Sequence, residues 1–315
     1  MPLVALTGAT GFVGRHVLAA LTEAGWSVRA LTRRPAADDL LGAGVEPVRG
    51  SLDDATSLEA LAADADAVIH VAGAIQAADR AAFLAANSEG TGRVAAAAAA
   101  AARPGARFLY LSSLAARAPT VSAYAESKAL GEREARRWQE TLRVAVVRPP
   151  AVYGPGDRAT LPIMQSLARG WLFAPRATEG SRFSLLYVRD LSALVVTLLE
   201  SDLPTGSVLE PSDGKPGGYG WPELAALAGK ELGRRVRVVP VPRGPLDAVA
   251  RLAELQARAT GRPAMLSRLK VAELFHPDWV GDPATLAALR GWKPEVDFAR
   301  GLRLTLAWYR EAGWL

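Results

Sequence analysis

The chain contains no cysteine. That excludes disulfides, thiol nucleophiles and cysteine-ligated zinc or iron–sulfur sites, and it is compatible with a reducing compartment. Histidine is almost as scarce: His16, His70 and His276 stand far apart without ligand-type spacing, so a structural metal is not expected. No apolar run reaches bilayer-spanning length, and Met1 to Leu6 is too short for a signal peptide before the chain runs into a glycine turn. The expectation is a soluble, cytoplasmic protein with no membrane partner. Basic residues exceed acidic ones by +5, but the arginines are scattered singly or in pairs among acids. No basic stripe interleaved with aromatics is present, so they read as a solvated surface and no nucleic-acid partner is expected.

What is present is a chain of 315 residues, 50% hydrophobic and 22% charged, which excludes a disordered or fibrous protein and suggests about two domains. Apolar runs of strand length alternate with helical stretches through the first half. Leu3 to Thr7, Ser27 to Thr32, Ala67 to Val71, Phe108 to Leu111 and Val144 to Val147 read as strands. Phe12 to Ala24, Ser57 to Ala63, Arg80 to Ala102 and Ala123 to Glu140 read as helices. Strict alternation implies right-handed crossovers and an α/β fold with a parallel sheet covered on both faces.

Eight alanines, Ala95 to Ala102, lie within one of these helices. Their small side chains suit close packing on the sheet or a seam between two copies. After Pro149-Pro150, proline, glycine and tryptophan become frequent and the alternation fades. Residues 1–150 are therefore expected to form a first domain to which 185–200 returns as strand plus helix. Residues 151–184 and 201–315 are expected to form a smaller, mixed substrate-binding region.

The first constellation is Thr7-Gly8-Ala9-Thr10-Gly11-Phe12-Val13-Gly14, directly after the first strand and opening the first helix. Glycines three apart permit a tight turn, close approach of a pyrophosphate, and packing of the helix on the sheet, with the phosphates at a helix N-terminus. The second strand, which in NAD sites ends in an acid for the adenosine ribose, here runs into Leu31-Thr32-Arg33-Arg34-Pro35. An acid would repel a ribose 2′-phosphate and an arginine would grip it, so NADPH is expected over NADH, with Arg33 the first contact and Arg34 the second. NAD remains possible.

The second constellation joins Ser113, Tyr124 and Lys128. Ser112-Ser113 follow a strand at the carboxyl edge of the sheet, where ligands of such folds bind. Tyr124 and Lys128 are four apart on a helix and share a face. A free phenol ionises near pH 10, and an ammonium beside it stabilises the phenolate.

Together these stretches resemble the extended branch of the short-chain dehydrogenase/reductase family, which includes NAD-dependent epimerases and dehydratases. The resemblance also covers His70-Val71-Ala72-Gly73, Asn87-Ser88-Glu89-Gly90-Thr91, Tyr110-Leu111-Ser112-Ser113 and Arg148-Pro149-Pro150-Ala151-Val152-Tyr153-Gly154-Pro155-Gly156. It extends to Gly291-Trp292-Lys293-Pro294 and Trp308-Tyr309-Arg310 near the C-terminus. It implies a Rossmann-type doubly wound parallel sheet. It further implies that Tyr124 is the general acid/base, that Lys128 holds the nicotinamide ribose and depresses the phenol, and that Ser113, or Ser112 if the strand ends earlier, bonds the reacting oxygen. Val71, Ala72 and Gly73 would line the cofactor, Asn87 would lie near the active site, Pro149-Pro150 would flank the nicotinamide, and a homodimer would form through the alanine-rich and Tyr124 helices.

Two departures stand out. Gly50-Ser51-Leu52 replaces the family's usual Gly-Asp-Leu, leaving Leu52 and Asp53 as the candidates near the adenine. The arginine that sugar-nucleotide enzymes carry seven positions before the Asp of Val188-Arg189-Asp190 is replaced by Phe183, with Arg182 adjacent. The leading expectation is thus an NADP-dependent oxidoreductase passing hydride between nicotinamide and a carbonyl or secondary alcohol of a small or moderately apolar molecule. The alternatives are a nucleotide-sugar epimerase or dehydratase, with Arg182, Arg158 and Arg176 as its phosphate clamp, and a non-catalytic NADPH-binding sensor or assembly protein.

Overall fold

The computed structural model describes residues 1–34, 41–42, 44–176, 180–260 and 268–315. In chain order the first elements are β1 (Leu3–Thr7), α1 (Phe12–Glu23), β2 (Ser27–Thr32), β3 (Val45–Arg49), α2 (Ala55–Ala62), β4 (Ala67–His70), α3 (Arg80–Leu84), α4 (Gly90–Ala101), β5 (Arg107–Leu111), α5 (Ala123–Arg136) and β6 (Arg143–Val147). There follow β7 (Ala151–Tyr153), α6 (Leu161–Ala168), β8 (Trp171–Pro175), β9 (Arg182–Phe183), β10 (Leu185–Tyr187), α7 (Val188–Glu200), β11 (Ser207–Leu209) and α8 (Trp221–Glu231). The last are β12 (Arg237–Val241), α9 (Arg243–Thr260), α10 (Arg268–Leu274), β13 (Asp278–Trp279) and α11 (Phe298–Glu311).

The chain divides into two compact units. The first comprises Met1–Arg148, Leu191–Glu210 and Ala284–Trp292. Its sheet has seven strands in the order β11-β6-β5-β4-β1-β2-β3, every pair parallel. β4 is buried along its whole length, as a strand covered on both faces must be, which is why these strands read as unbroken apolar runs. The strand order reverses between β4 and β1, and in such sheets the crevice beyond the carboxyl ends of those strands is where ligands bind.

The expected helix over 80–102 forms as one helical run, divided into α3 and α4 by a wider turn. Asp79 caps α3 by accepting from Ala82 N at 2.9 Å; a wider, π-helical turn over Ala85–Glu89 then leads into α4. The alanine run packs inward: Ala95, Ala97 and Ala98 are buried with Leu58 and Leu61 of α2 and Phe108 of β5. Of the stretch 185–200, β10 pairs with β7, whereas the later strand β11 joins the main sheet beside β6.

The second unit comprises Pro149–Asp190, Pro211–Pro283 and Lys293–Leu315. It is built on three parallel two-stranded pairs, β7 with β10, β8 with β12 and β9 with β13. Its core gathers Tyr153, Leu167, Leu172, Tyr187, Phe298, Leu302 and Tyr309. Among the described residues no helix is long and apolar enough to cross a membrane.

Candidate active site

The glycine turn forms as its spacing demands. Gly8 has a left-handed φ of +77°, and a Cβ there would stand 2.6 Å from Ala72 N. Gly11 N donates to Gly8 O at 3.0 Å, closing the turn. A Cβ on Gly14 would lie 1.9 Å from Gly8 O, so the helix sits on the turn at a distance only glycine permits. Gly11 is the N-cap of α1, with no side-chain cap and no acid in the first turn. The amides of Phe12, Val13 and Gly14 consequently have no acceptor within the helix, and they lie at the positive end of the helix dipole. Thr10, Phe12 and Val13 are half-buried around them. A backbone cradle that any side chain would fill, ending in unsatisfied amides, fits the pyrophosphate of a dinucleotide.

β2 ends at Thr32; Arg33 and Arg34 follow it, both exposed. A third arginine that the sequence reading missed reaches the same strand end: Arg49, closing β3, donates from Nη1 to Thr32 Oγ1 at 2.8 Å. Leu52 is half-buried and its carbonyl accepts from Arg93 Nε at 2.6 Å. The neighbouring Asp53 carboxylate pairs with Arg93 Nη2, also at 2.6 Å.

At the end of β4, His70 is wholly buried between two hydroxyls, Thr7 Oγ1 at 2.7 Å from Nδ1 and Thr91 Oγ1 at 3.1 Å from Nε2. Thr91 spends its proton on the Asn87 carbonyl at 2.6 Å, so it accepts from Nε2–H, and Nδ1 accepts from Thr7. Burial pulls the His70 pKa down to about 3, with the Lys128 charge adding to the effect. The imidazole is therefore a neutral strut joining β1 and β4 to the first turn of α4. Val71 and Ala72 are half-buried and Gly73 exposed beyond it. Asn87 holds the next residue at both backbone atoms, accepting from Ala74 N at 2.7 Å and donating to Ala74 O at 2.9 Å. Its Nδ2 also donates to Ser127 Oγ at 3.0 Å.

α5 is capped by Ser122, which accepts from Ala125 N at 3.0 Å. Tyr124 lies half-buried in its first turn, its ring 6.0 Å from that of Phe83, and its carbonyl accepts from Ser127 Oγ at 2.8 Å. One turn on, Lys128 is buried and donates from Nζ to Leu111 O at 2.7 Å, 4.4 Å above the Tyr110 ring. Burial pushes its pKa down to about 7, against the opposing pull of Glu132. A Cβ on Gly73 would be 2.9 Å from Asn87 Oδ1 and 3.8 Å from Lys128 Nζ, so these three groups meet at one point.

The two serines after β5 part company. Ser112 is buried and donates to Glu132 Oε1 at 2.6 Å. Ser113 is half-buried, in extended conformation, and accepts from Ala115 N at 3.2 Å at the start of a short 3₁₀ turn. Glu132 belongs to a chain of charges, with its own carboxylate and that of Glu210 buried, that the sequence reading also missed. Arg148 donates to it from Nε at 2.8 Å and Nη2 at 2.7 Å, and from Nη1 to Glu210 Oε1 at 3.2 Å. Arg117 meets the other oxygen of Glu210 at 3.2 Å. Glu132 stands four residues after Lys128, which is the one signal that could have marked it. Pro149, buried, and Pro150, half-buried, directly follow Arg148.

The profile of the NAD dependent epimerase/dehydratase family matches residues 4–209. The chain belongs to that family. A protein named ceramide reductase from Caulobacter vibrioides (strain NA1000 / CB15N) is 38% identical over 99% of this chain and 96% of its own length. A 4-hydroxy-2-methyl-3-oxo-4-farnesyl-3,4-dihydroquinoline-1-oxide ketoreductase from Stigmatella aurantiaca is 31% identical over 67% of this chain and 68% of its own. Among solved structures, the Bordetella bronchiseptica enzyme WbmG in complex with NAD covers 99% of this chain and 94% of its own, with 23% identity and a TM-score of 0.71. The shared fold is the Rossmann-like α/β fold described above, and the protein is an NAD(P)-dependent oxidoreductase of the short-chain dehydrogenase/reductase type.

Proposed function

We propose that the protein is an NADPH-dependent reductase of a ketone carried by a long-chain lipid of the ceramide class. The observation that carries the acid–base part is Lys128: a desolvated amine, bonded to the end of β5 and one helical turn from Tyr124. The lipid class rests on the 38% relative, whose name is a reductase of ceramide and which spans 99% of this chain.

The residues that would hold the cofactor are Gly8, Thr10, Gly11, Phe12, Val13 and Gly14 at the pyrophosphate, Arg33 and Arg34 at a ribose 2′-phosphate, and Leu52 and Asp53 toward the adenine. Val71, Ala72, Gly73, Asn87, Lys128, Pro149 and Pro150 would take the nicotinamide end. Bound there, a reduced nicotinamide supplies the hydride. Tyr124 gives its phenolic proton to the carbonyl oxygen, Ser113 donates a hydrogen bond to the same oxygen, and the Lys128 ammonium favours the phenolate left behind. Ser112 is the weaker candidate for that oxygen because its proton is committed to Glu132.

The sugar-nucleotide alternative asks for a free cationic clamp. Arg182 is instead bound to the carbonyls of Gly217 and Gly218 and to Glu223, and Arg158 stacks on Trp314. NADPH absorbance followed with a keto-lipid in detergent micelles tests the reading. Steady consumption is expected; no net oxidation with any ketone, together with interconversion of a UDP-sugar, overturns it.

A further inference from the structure

We infer that the outer face of α9 is a docking surface for an anionic lipid bilayer. The helix has an apolar face turned outward. Ala250 is buried and Leu246, Asp247, Ala253 and Glu254 are half-buried on the inner side, whereas Pro245, Ala248, Val249, Leu252 and Leu255 face solvent. Val249, Leu252 and Leu255 are 55%, 67% and 58% exposed. At 100° per residue these outward residues occupy one continuous arc, with exposed Arg251 along its edge and exposed Gln256 the one polar residue within it over 245–256. A contiguous apolar arc on a surface marks a contact that the isolated chain leaves unmade.

The same arrangement recurs on the neighbouring strands. Trp171 and Phe173 of β8 are exposed, alternate residues on one face of the strand, and Arg237 of β12 lies 5.7 Å from the Trp171 ring. β12 runs into α9 with one intervening residue, Pro242. Exposed tryptophan, phenylalanine and leucine beside arginine is the composition of a helix or rim that settles at the headgroup level. α9 cannot itself cross a bilayer, because its 18 residues include Arg243, Asp247, Arg251, Glu254 and Arg258. It would lie in the interface. The expectation of no membrane partner came from the lack of a spanning segment, which leaves surface contact open.

Charge chooses the occupant. The second unit holds 20 lysines and arginines against 14 aspartates and glutamates, so it carries the whole positive excess of the chain. A second copy would present the same positive unit and repel; an anionic leaflet attracts it. The choice of a bilayer also rests on the proposed lipid substrate, which resides there.

The test is co-sedimentation of the full chain, without cofactor or ketone, with phosphatidylcholine vesicles and with vesicles of seven parts phosphatidylcholine to three of phosphatidylglycerol. Capture by the anionic vesicles at least tenfold above neutral ones is expected, weakened by 0.5 M NaCl. A Leu252→Glu/Leu255→Glu double variant is expected to lose at least tenfold of it while keeping its melting temperature, and Arg251→Glu, a change at one exposed position, to lose severalfold. Wild-type protein left in the supernatant with both vesicles overturns the proposal. So does unchanged capture of all variants, or light scattering of a wild-type dimer that the double variant converts to monomer. Because no turnover is read, failed ketone reduction with capture intact would overturn the substrate reading and leave this one standing.

Discussion

Arg148 grips Glu132 with two parallel hydrogen bonds, Nε at 2.8 Å and Nη2 at 2.7 Å. The pair ties α5, the helix bearing Tyr124 and Lys128, to the residue that follows β6. Both side chains are largely withdrawn from water, and the guanidinium is held further above its ordinary pKa by Glu132 first and Glu210 second. Removing Glu132 leaves Arg148 only its contact with Glu210 at 3.2 Å, and removing Arg148 leaves the Glu132 carboxylate buried without that guanidinium.

Glu132→Gln should therefore destabilise the protein by about 1.5–3 kcal/mol, the worth of a hydrogen bond to a charged group, because Arg148 keeps Glu210. Urea denaturation of Glu132→Gln, Arg148→Met and the double variant measures the coupling. Strictly additive losses would show that the pair contributes nothing beyond its separate contacts.

Replacing Tyr124 by Phe removes the proposed proton donor and keeps the ring against Phe83. Turnover should fall by about 10²–10⁴-fold, the range of a lost general acid, with the NADPH dissociation constant unchanged by fluorescence titration. Retained turnover would move the proton source elsewhere.

Lys128 titrates near 7 in the folded chain against 10.5 as a free side chain. Between those values the unfolded chain binds more protons than the folded one, so this residue makes stability rise with pH, by at most about 1.4 kcal/mol per unit. Below about pH 7 both states are protonated and the full burial penalty applies. The stability of wild type minus that of Lys128→Met should thus climb from pH 7 to 10.5 in the cofactor-free protein. A flat difference would mean that the amine is charged throughout.

Arg33→Ala and Arg34→Ala should weaken NADPH binding, Arg33 by roughly tenfold or more, the worth of one charge-assisted hydrogen bond. NADH binding should hardly move. Equal losses for both cofactors, or tighter NADH binding by wild type, would remove the 2′-phosphate from the argument.

Much of the frame was legible because it is local. β1, the glycine turn and α1 follow from apolar runs and glycines three apart, and Tyr124 and Lys128 share a face because a helix places residues four apart together. β3 and β11 were not legible. Val45–Arg49 is a half-exposed edge strand with a proline, and Ser207–Leu209 has only three residues, so neither offers a buried apolar run. The helix expected over 80–102 forms, but nothing in its pattern announces the π-helical turn inside it. At that turn a Cβ on Gly131 of α5 would come within 2.4 Å of the Asn87 carbonyl, a contact made across 44 positions of chain.

The sequence by itself determined the strand–turn–helix entry, the cationic end of β2 and the tyrosine–lysine face, since each depends on neighbours a few residues apart. Only the tertiary structure decided that Ser112 spends its proton on Glu132, that Arg49 joins the end of β2, that Lys128 loses its water at the end of β5, and that α9 turns Leu252 and Leu255 outward. Burial, partner and charge in those cases are set by segments distant along the chain, which meet only when the sheet has closed.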